Sequence, residues 1–412
     1  MLFPILKKSF TRISLVILFI VIAPGLHASP TVHAQGQKQP DLLQFDLLTA
    51  HSGWILLDGQ LFLTLDAGQS WKEITPSIPA GAEVQDVQFI DTNTGWMLWT
   101  TADSSGSPSF HIAHTRDGGQ RWETQSLSLF EPGDIASYME KAEMGWFDGE
   151  TGWISVKGQS GSNFSTGTLF TTYDGAKTWK RFDLPVADSI DFSDPQMGWA
   201  VGGPGGGEIF QTQDGGATWK DARPSDLSNE IQAVAHPPIV ADGQGLFLAT
   251  TMAAESHLNL YSLENADHWI FLDQVKLDSA SGAIEISILD TQNLVAVIPG
   301  TDSIVRMRNG KVDVLNNQDG RSASIVRLDM VALNVGWAKS ITSDCGDASC
   351  SMSTRLLQTT DGGLTWQSIK LPLVGSDTIL SAVPDFPPSS PPVEKAGTEN
   401  TEVYLGQGFD TC

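Results

Sequence analysis

Apolar positions fall into two regimes along this chain. Residues 13–23 are a nearly unbroken apolar run preceded by Lys7, Lys8 and Arg12. The run is too short to span a bilayer comfortably and follows a basic flank, which is the arrangement of an export signal. Val32-His33-Ala34 offers the cleavage site, with a cut after Ala28 as the alternative, so residues 1–34 are predicted to be a signal peptide. Beyond it, apolar residues come in short segments separated by turn residues, and no long 3.6-residue period is present. Residues 84–90, 95–100, 110–115 and 121–127, for example, read as four successive strands. The mature chain is expected to be all-β, secreted or held in a bacterial cell envelope, with no membrane span left after cleavage.

The segments repeat. One turn occurs as Thr64-Leu65-Asp66-Ala67-Gly68-Gln69-Ser70-Trp71, as Thr115-Arg116-Asp117-Gly118-Gly119-Gln120-Arg121-Trp122 and as Thr212-Gln213-Asp214-Gly215-Gly216-Ala217-Thr218-Trp219. A further copy is Thr359-Thr360-Asp361-Gly362-Gly363-Leu364-Thr365-Trp366. Thr172-Tyr173-Asp174-Gly175-Ala176-Lys177-Thr178-Trp179 has alanine for the second glycine, and Glu264 replaces the aspartate in a decayed copy that ends at Trp269. A Gly-Trp pair precedes the turn at 53–54, 95–96, 152–153, 198–199 and 336–337, and Gly245-Leu246 and Leu294-Val295 fill the two gaps. These seven landmarks are separated by 42, 57, 46, 47, 49 and 42 residues. In three units an aromatic and an acid keep fixed phase with the glycine: Phe89/Asp91/Gly95, Trp146/Asp148/Gly152 and Phe192/Asp194/Gly198. The sixth unit closes its hairpin with Asn309-Gly310, a type I′ signal. A period of about 40–50 residues with four strands per unit predicts a seven-bladed β-propeller over residues 35–383.

The turn resembles the Asp-box, or BNR, repeat of bacterial sialidases, sortilin-type receptors, xyloglucan-active hydrolases and the photosystem II stability/assembly-factor family, over roughly residues 41–383. The Gly-Trp ahead of Thr-x-Asp-Gly-Gly-x-Thr-Trp is most similar to the assembly-factor type of repeat. That resemblance implies the propeller fold; the assembly factors are expected to use a basic surface bridging neighbouring blades, and this chain has no such arginine set.

The aspartates themselves read as architecture. In a tight turn a carboxylate accepts backbone N–H groups, the threonine hydroxyl ties the other side, and glycine supplies positive φ. Asp66, Asp117, Asp174, Asp214 and Asp361 are therefore expected to be structural, with Trp71, Trp122, Trp179, Trp219 and Trp366 filling space between blades. If these turns join third to fourth strands, they share an end with the first-to-second turns. The opposite end, carrying the second-to-third loops and blade connections, is then the expected ligand face. Its segments include 101–109, 157–166, 202–207, 250–257 and 340–353, joined by 128–138 and 224–230.

Charge narrows the partners. The formal net charge of -24 becomes 21 − 48 = -27 without residues 1–34, which repels nucleic acid and suits a soluble surface. A protein or a polysaccharide on the loop face is the expected partner of a monomeric chain. No catalytic residue, metal ligand set or cofactor is assigned. The arginine cluster and activated tyrosine that a sialidase needs are missing, Tyr138, Tyr173, Tyr261 and Tyr404 being the only tyrosines. Asp103, Glu131, Asp134, Glu140 and Glu255 lie in or near ligand-face loops with nothing to pair them, and His111, His114, His257 and His268 lack metal spacing. The preferred expectation is a non-catalytic binding or assembly scaffold; the alternative is a carbohydrate-active protein. Cys345 and Cys350, spaced C-x4-C, suit a small disulfide in an oxidising compartment.

After residue 383 the composition changes. Residues 384–401 are a Pro/Ser-rich linker by composition, and 402–412, ending in Gly408-Phe409-Asp410-Thr411-Cys412, resemble the opening of a glycoside-hydrolase-like barrel. Ring closure is open at this level: blades are expected from near Leu42 to near Leu371, with 378–383 as a candidate latching strand.

Overall fold

Each predicted unit becomes one sheet. The computed structural model describes residues 40–102, 107–130, 139–158, 166–227, 233–241, 244–252, 255–265, 268–277, 284–345 and 350–374. Among these residues, twenty-eight strands form seven four-stranded antiparallel sheets, each with its strands in chain order. Blade 1 is β1 (Leu42–Leu47), β2 (Gly53–Leu57), β3 (Gln60–Thr64) and β4 (Lys72–Glu73); blade 2 is β5 (Glu83–Phe89), β6 (Gly95–Ala102), β7 (Pro108–Thr115) and β8 (Glu123–Leu127). Blade 3 is β9 (Met139–Trp146), β10 (Gly152–Gly158), β11 (Thr166–Thr172) and β12 (Lys180–Leu184); blade 4 is β13 (Ser189–Phe192), β14 (Gly198–Gly202), β15 (Glu208–Thr212) and β16 (Lys220–Asp221). Blade 5 is β17 (Ala233–Ala241), β18 (Gln244–Met252), β19 (Ser256–Asn265) and β20 (His268–Leu277); blade 6 is β21 (Glu285–Asp290), β22 (Asn293–Val297), β23 (Ser303–Arg308) and β24 (Lys311–Asn316). Blade 7 is β25 (Ile325–Ala332), β26 (Val335–Cys345), β27 (Cys350–Thr359) and β28 (Gln367–Ser368).

The core lies between blades. Trp54 and Leu56 of blade 1 pack with Val87, Met97 and Trp99 of blade 2, and Leu42 and Phe45 of blade 1 pack with Trp337 and Leu356 of blade 7. Sheets that bury both faces against neighbours in this way close into a ring. First strands of adjacent blades touch, whereas fourth strands such as β8 and β12 expose Glu123, Thr124, Lys180 and Arg181. The first strands therefore surround the axis and the fourth strands face solvent.

The landmark glycine has a packing cause. A Cβ on Gly95, Gly152 or Gly198 would lie 2.4, 2.6 or 2.4 Å from the ring of Phe89, Trp146 or Phe192, which covers the glycine directly. The phased acid shapes the turn between them. Asp91 Oδ1 accepts N–H bonds from Asn93 (2.6 Å) and Thr94 (2.7 Å), and Asp148 and Asp194 repeat the arrangement.

Among the described residues, blade 1 is built from the first four strands and blade 7 from the last four, and no strand is exchanged between the two sheets. The seam is joined by Leu42 N–H to Thr354 Oγ1 (3.2 Å), Leu47 N–H to Asp329 Oδ2 (2.6 Å) and Trp71 Nε1–H to the Lys370 carbonyl (3.0 Å). The expected latching strand at 378–383, the signal segment 1–34, the linker 384–401 and the tail 402–412 lie outside the described residues.

Candidate ligand face

The repeated aspartate turn is saturated with local bonds. Asp361 Oδ1 accepts the Thr359 hydroxyl (2.8 Å) and Thr365 N–H (2.9 Å), Oδ2 accepts the Thr365 hydroxyl (2.6 Å), and Gly363 N–H reaches Thr359 Oγ1 (2.8 Å). The same bonds recur around Asp66, Asp174 and Asp214, and around Asp117 with Arg121 N–H in place of a hydroxyl-bearing residue. Hydrogen bonds from neighbouring threonines hold the Asp174 carboxyl down to about 2. Trp71 and Trp122 send their indole N–H groups to the Lys370 and Ile74 carbonyls of the preceding blade, and Trp179 and Trp219 bond within their own turns. Trp366 is buried between blades 6 and 7.

These turns stand at one end of the ring together with the first-to-second turns. Gly118, Gly175, Gly215 and Gly362 donate N–H bonds to Asn93, Glu150, Gln196 and Asn334 of their own blades, and Gly310 of the replacement turn does so to Gln292. Asn309 (φ 50°) and Gly310 (φ 73°) have the left-handed pair that a type I′ hairpin requires.

The opposite end is uneven, and strand register measures it. The second and third strands pair over ten residues in blade 7, eight in blade 2, five in blade 1 and four in blade 6. At about 3.4 Å per residue, the blade 7 hairpin rises ~17 Å above blade 1 and ~20 Å above blade 6. It is an arm standing between two low blades. Blade 1 is low because Asp58 (φ 45°) and Gly59 (φ 83°) close its hairpin in two residues.

A notch results above blade 1. On the blade 7 side, Leu356 packs on blade 1, and Thr354 and Met352, which alternate with it along β27, continue that face upward; Met352 is 72% exposed. On the blade 2 side, Trp99 packs on blade 1 and stacks with His111 at 5.6 Å. His111 Nε2 lies 3.0 Å from Thr101 Oγ1 and Nδ1 lies 3.1 Å from Ser126 Oγ. The floor carries the exposed Leu43, Asp41 and Asp58.

Of the acids singled out from sequence, Glu140 pairs with Lys157 (3.2 Å), which also meets Asp188 (3.1 Å), and Glu255 pairs with Lys276 (2.6 Å). These two are not brought together as a carboxylate pair. Asp103, Glu131, Asp134, Tyr138 and Tyr404 lie outside the described residues. His114 stacks on Trp96 at 4.6 Å and burial pushes its pKa down; His257 lies near Glu255 and His268 is exposed. Tyr173 is exposed, and the Tyr261 hydroxyl bonds Asp226 Oδ2 (3.2 Å). Among the described residues no group of three or more His, Cys, Asp or Glu is placed to hold a metal, and no helix is long and apolar enough to cross a membrane. Cys345 and Cys350 face each other in register as the last pair of the blade 7 arm; their side chains lie outside what the structure describes.

One set of polar residues escaped the sequence reading. Asp46, Asp86, Glu143, Asp191, Glu285 and Asp329 all lie on first strands, around the axis, seven or nine residues before the landmark position. In three blades residue seven accepts an N–H from the next blade: Gln88 Oε1 from Trp146 (2.7 Å), Ser287 Oγ from Met330 (2.9 Å) and Asp329 Oδ2 from Leu47 (2.6 Å). Asp86 Oδ2 accepts Met144 N–H (2.9 Å) in the same way. Burial pushes Asp86 up to about 7, Asp191 to about 8 and Glu285 to about 8, and raises Asp329 as well. The fixed offset from the glycine was the signal that could have found them.

No family model matches this sequence, and no curated protein does. Among solved structures, YCF48 bound to D1 peptide is similar with a TM-score of 0.51 at 15% identity, over 79% of this chain and 94% of that one. YCF48 from Cyanidioschyzon merolae gives 0.45 at 19% identity, over 76% and 90%. The GH74 xyloglucanase from Xanthomonas campestris gives 0.27 at 14% identity, over 82% and 63%. In fold, the chain is a seven-bladed β-propeller similar to YCF48.

Proposed function

We propose that this chain is an exported, non-catalytic scaffold that binds a protein segment on the face opposite the aspartate turns, in the notch above blade 1. The carrying observation is the rim profile: an arm ten residue pairs long beside a blade of five, with Met352 and His111 on the two walls. A raised arm beside a low blade offers a concave surface to an extended segment, and loops at a propeller end vary without disturbing the sheets. The saturated bonding of the five aspartates supports an architectural role for them, which leaves the other end for recognition. In the neighbouring structure YCF48 the propeller is bound to a D1 peptide, which supports a peptide as the class of ligand.

Photocrosslinkers placed at residues 352 and 111 of the mature chain, in its native envelope fraction, test the proposal. The same crosslinked protein from both positions is the expected result. Reducing-end release from cell-wall or plant polysaccharides by residues 35–412 would instead show a carbohydrate-active protein.

A further inference from the structure

Six of the seven joints between blades hold a tryptophan from the turn of the following blade: Trp71, Trp122, Trp179, Trp219, Trp269 and Trp366. Among the described residues, the joint of blades 5 and 6 holds no aromatic ring, and its buried cluster is made of Ile, Leu, Val, Ala and Met side chains only. Strand register shows why. In blade 2, Trp122 directly precedes Glu123, which pairs with His114 and, across it, with Trp96. The equivalent ladder of blade 6 is Asp313, Arg306 and Val295, so Val312 stands where tryptophan stands elsewhere. A valine cannot cover the area that an indole covers. A Cβ on Gly310 of the blade 6 turn would meet no atom within 4 Å, whereas one on Gly119 of the blade 2 turn would lie 2.5 Å from Ile74 of blade 1.

The missing ring leaves apolar surface on both sides of this joint. Ile74, three residues after Trp71, is 2% exposed beneath the blade 2 turn, whose Trp122 bonds its carbonyl; Leu272, three residues after Trp269, is 43% exposed. Ile270 pairs with Ser262 and so shares the β19 face of Leu260 and Leu258, which packs on blade 6; it too is exposed. Val314 pairs with Val305, on the face of blade 6 that packs on blade 5, and is 56% exposed. Phe271 lies between Ile270 and Leu272 on the other face of β20, edge-on to Tyr261 at 5.9 Å, and is half exposed. β20 is also the longest outer strand, with ten residues against two to six in the other blades. A long outer strand bearing adjacent apolar side chains is the kind of edge that proteins ordinarily shield, and clustered exposed apolar groups mark interaction sites.

We infer that this lateral patch is where two copies of the chain meet, the Phe271 of each copy supplying the aromatic ring that the joint of the other lacks. The patch is self-complementary. Phe271 is one residue from Ile270 and from Leu272, so a twofold axis close to it brings each ring against the apolar side chains of the other copy. Charge selects the same place. The net charge of -24 repels a second copy over most of the surface, but β20 carries Asp273 and Lys276 and β24 carries Lys311 and Asp313, equal numbers of each sign. Copies meeting here join neutral, apolar surfaces, and added salt screens the repulsion between the rest. A twofold dimer thus replaces the monomer expected from sequence, through outer strands of blades 5 and 6 rather than the notch above blade 1.

Sedimentation equilibrium of residues 35–412 from about 1 to about 300 μM tests the inference. A reversible monomer–dimer association is expected, and it should tighten as salt rises from about 0.05 to about 0.5 M. Phe271→Asp should weaken association about tenfold or more. Val314→Asp, at a more exposed position, should do the same and serves if the first variant fails to fold. Val312→Trp supplies the ring from within the chain, so it should weaken association while raising the melting temperature. Met352→Asp, on the blade 7 arm, should leave association unchanged, which separates this surface from the notch. A photocrosslinker at residue 314 should give an adduct between two copies of the chain. A chain that stays monomeric over the whole range, a dimer of unchanged strength in a folded Phe271→Asp or Val314→Asp, or adducts of residue 314 to a different protein alone would overturn the inference.

Discussion

At the residue scale, the repeat is a set of fitted shapes rather than a set of chemical groups. Replacing Asp361 with alanine strands the Thr365 N–H and removes the acceptor for two hydroxyls, for an expected loss of about 1–3 kcal/mol in denaturant unfolding with partner capture retained. Asp117→Ala should likewise lower the melting temperature; a folded variant with unchanged melting temperature and lost ligand would speak for a functional aspartate. Gly95→Ala puts a Cβ 2.4 Å from the Phe89 ring, an overpacking expected to cost about 1–3 kcal/mol. Phe89→Leu combined with it should recover part of that loss, because the two positions share one space; strict additivity in the double-mutant cycle would contradict the contact.

At the scale of elements, hairpin length distinguishes the blades, and the proposed binding notch rests on it. Met352 is 72% exposed on the blade 7 arm, so Met352→Asp should leave stability within about 0.5 kcal/mol while weakening partner capture. Lengthening the Asp58-Gly59 turn of blade 1 by four residues should fill the notch and have the same pair of effects, read by melting and by crosslinking at residue 111. Much of this level was legible in the sequence. The expected strands at 84–90, 95–100, 110–115 and 121–127 correspond to Glu83–Phe89, Gly95–Ala102, Pro108–Thr115 and Glu123–Leu127. The Asn309-Gly310 turn was legible too, since only local backbone conformation decides it. The height of the rim was not: loop length in sequence does not say how many of its residues continue the ladder, as β26 and β27 do up to Cys345 and Cys350.

For the whole molecule, the axial acids and the aspartate turns pull stability in opposite directions with pH. Asp86, Asp191 and Glu285 keep protons in the folded chain up to about 7 to 8 that the unfolded chain has released, so each destabilises as pH rises from about 4 toward those values. His236, which burial holds at about 4, acts against them: between about 4 and 6.5 the unfolded chain binds a proton that the folded one does not. Three carboxyls outnumber one histidine. Below about pH 4 the turn aspartates, whose hydrogen bonds lower their pKa, protonate and their contribution is lost. The melting temperature is therefore expected to be highest in the mildly acidic range, and a maximum above pH 8 would contradict the arrangement.

The sequence by itself determined the number of blades, the strands within them and the turns that close them, because these depend on short-range periodicity, glycine conformation and hydrogen bonds within a few residues. The polar belt around the axis and the notch above blade 1 were decided only in the tertiary structure. Asp46 and Asp329 are 283 residues apart in the chain and adjacent in the ring. Nothing in the neighbourhood of either aspartate distinguishes it from a surface acid until the last blade packs against the first.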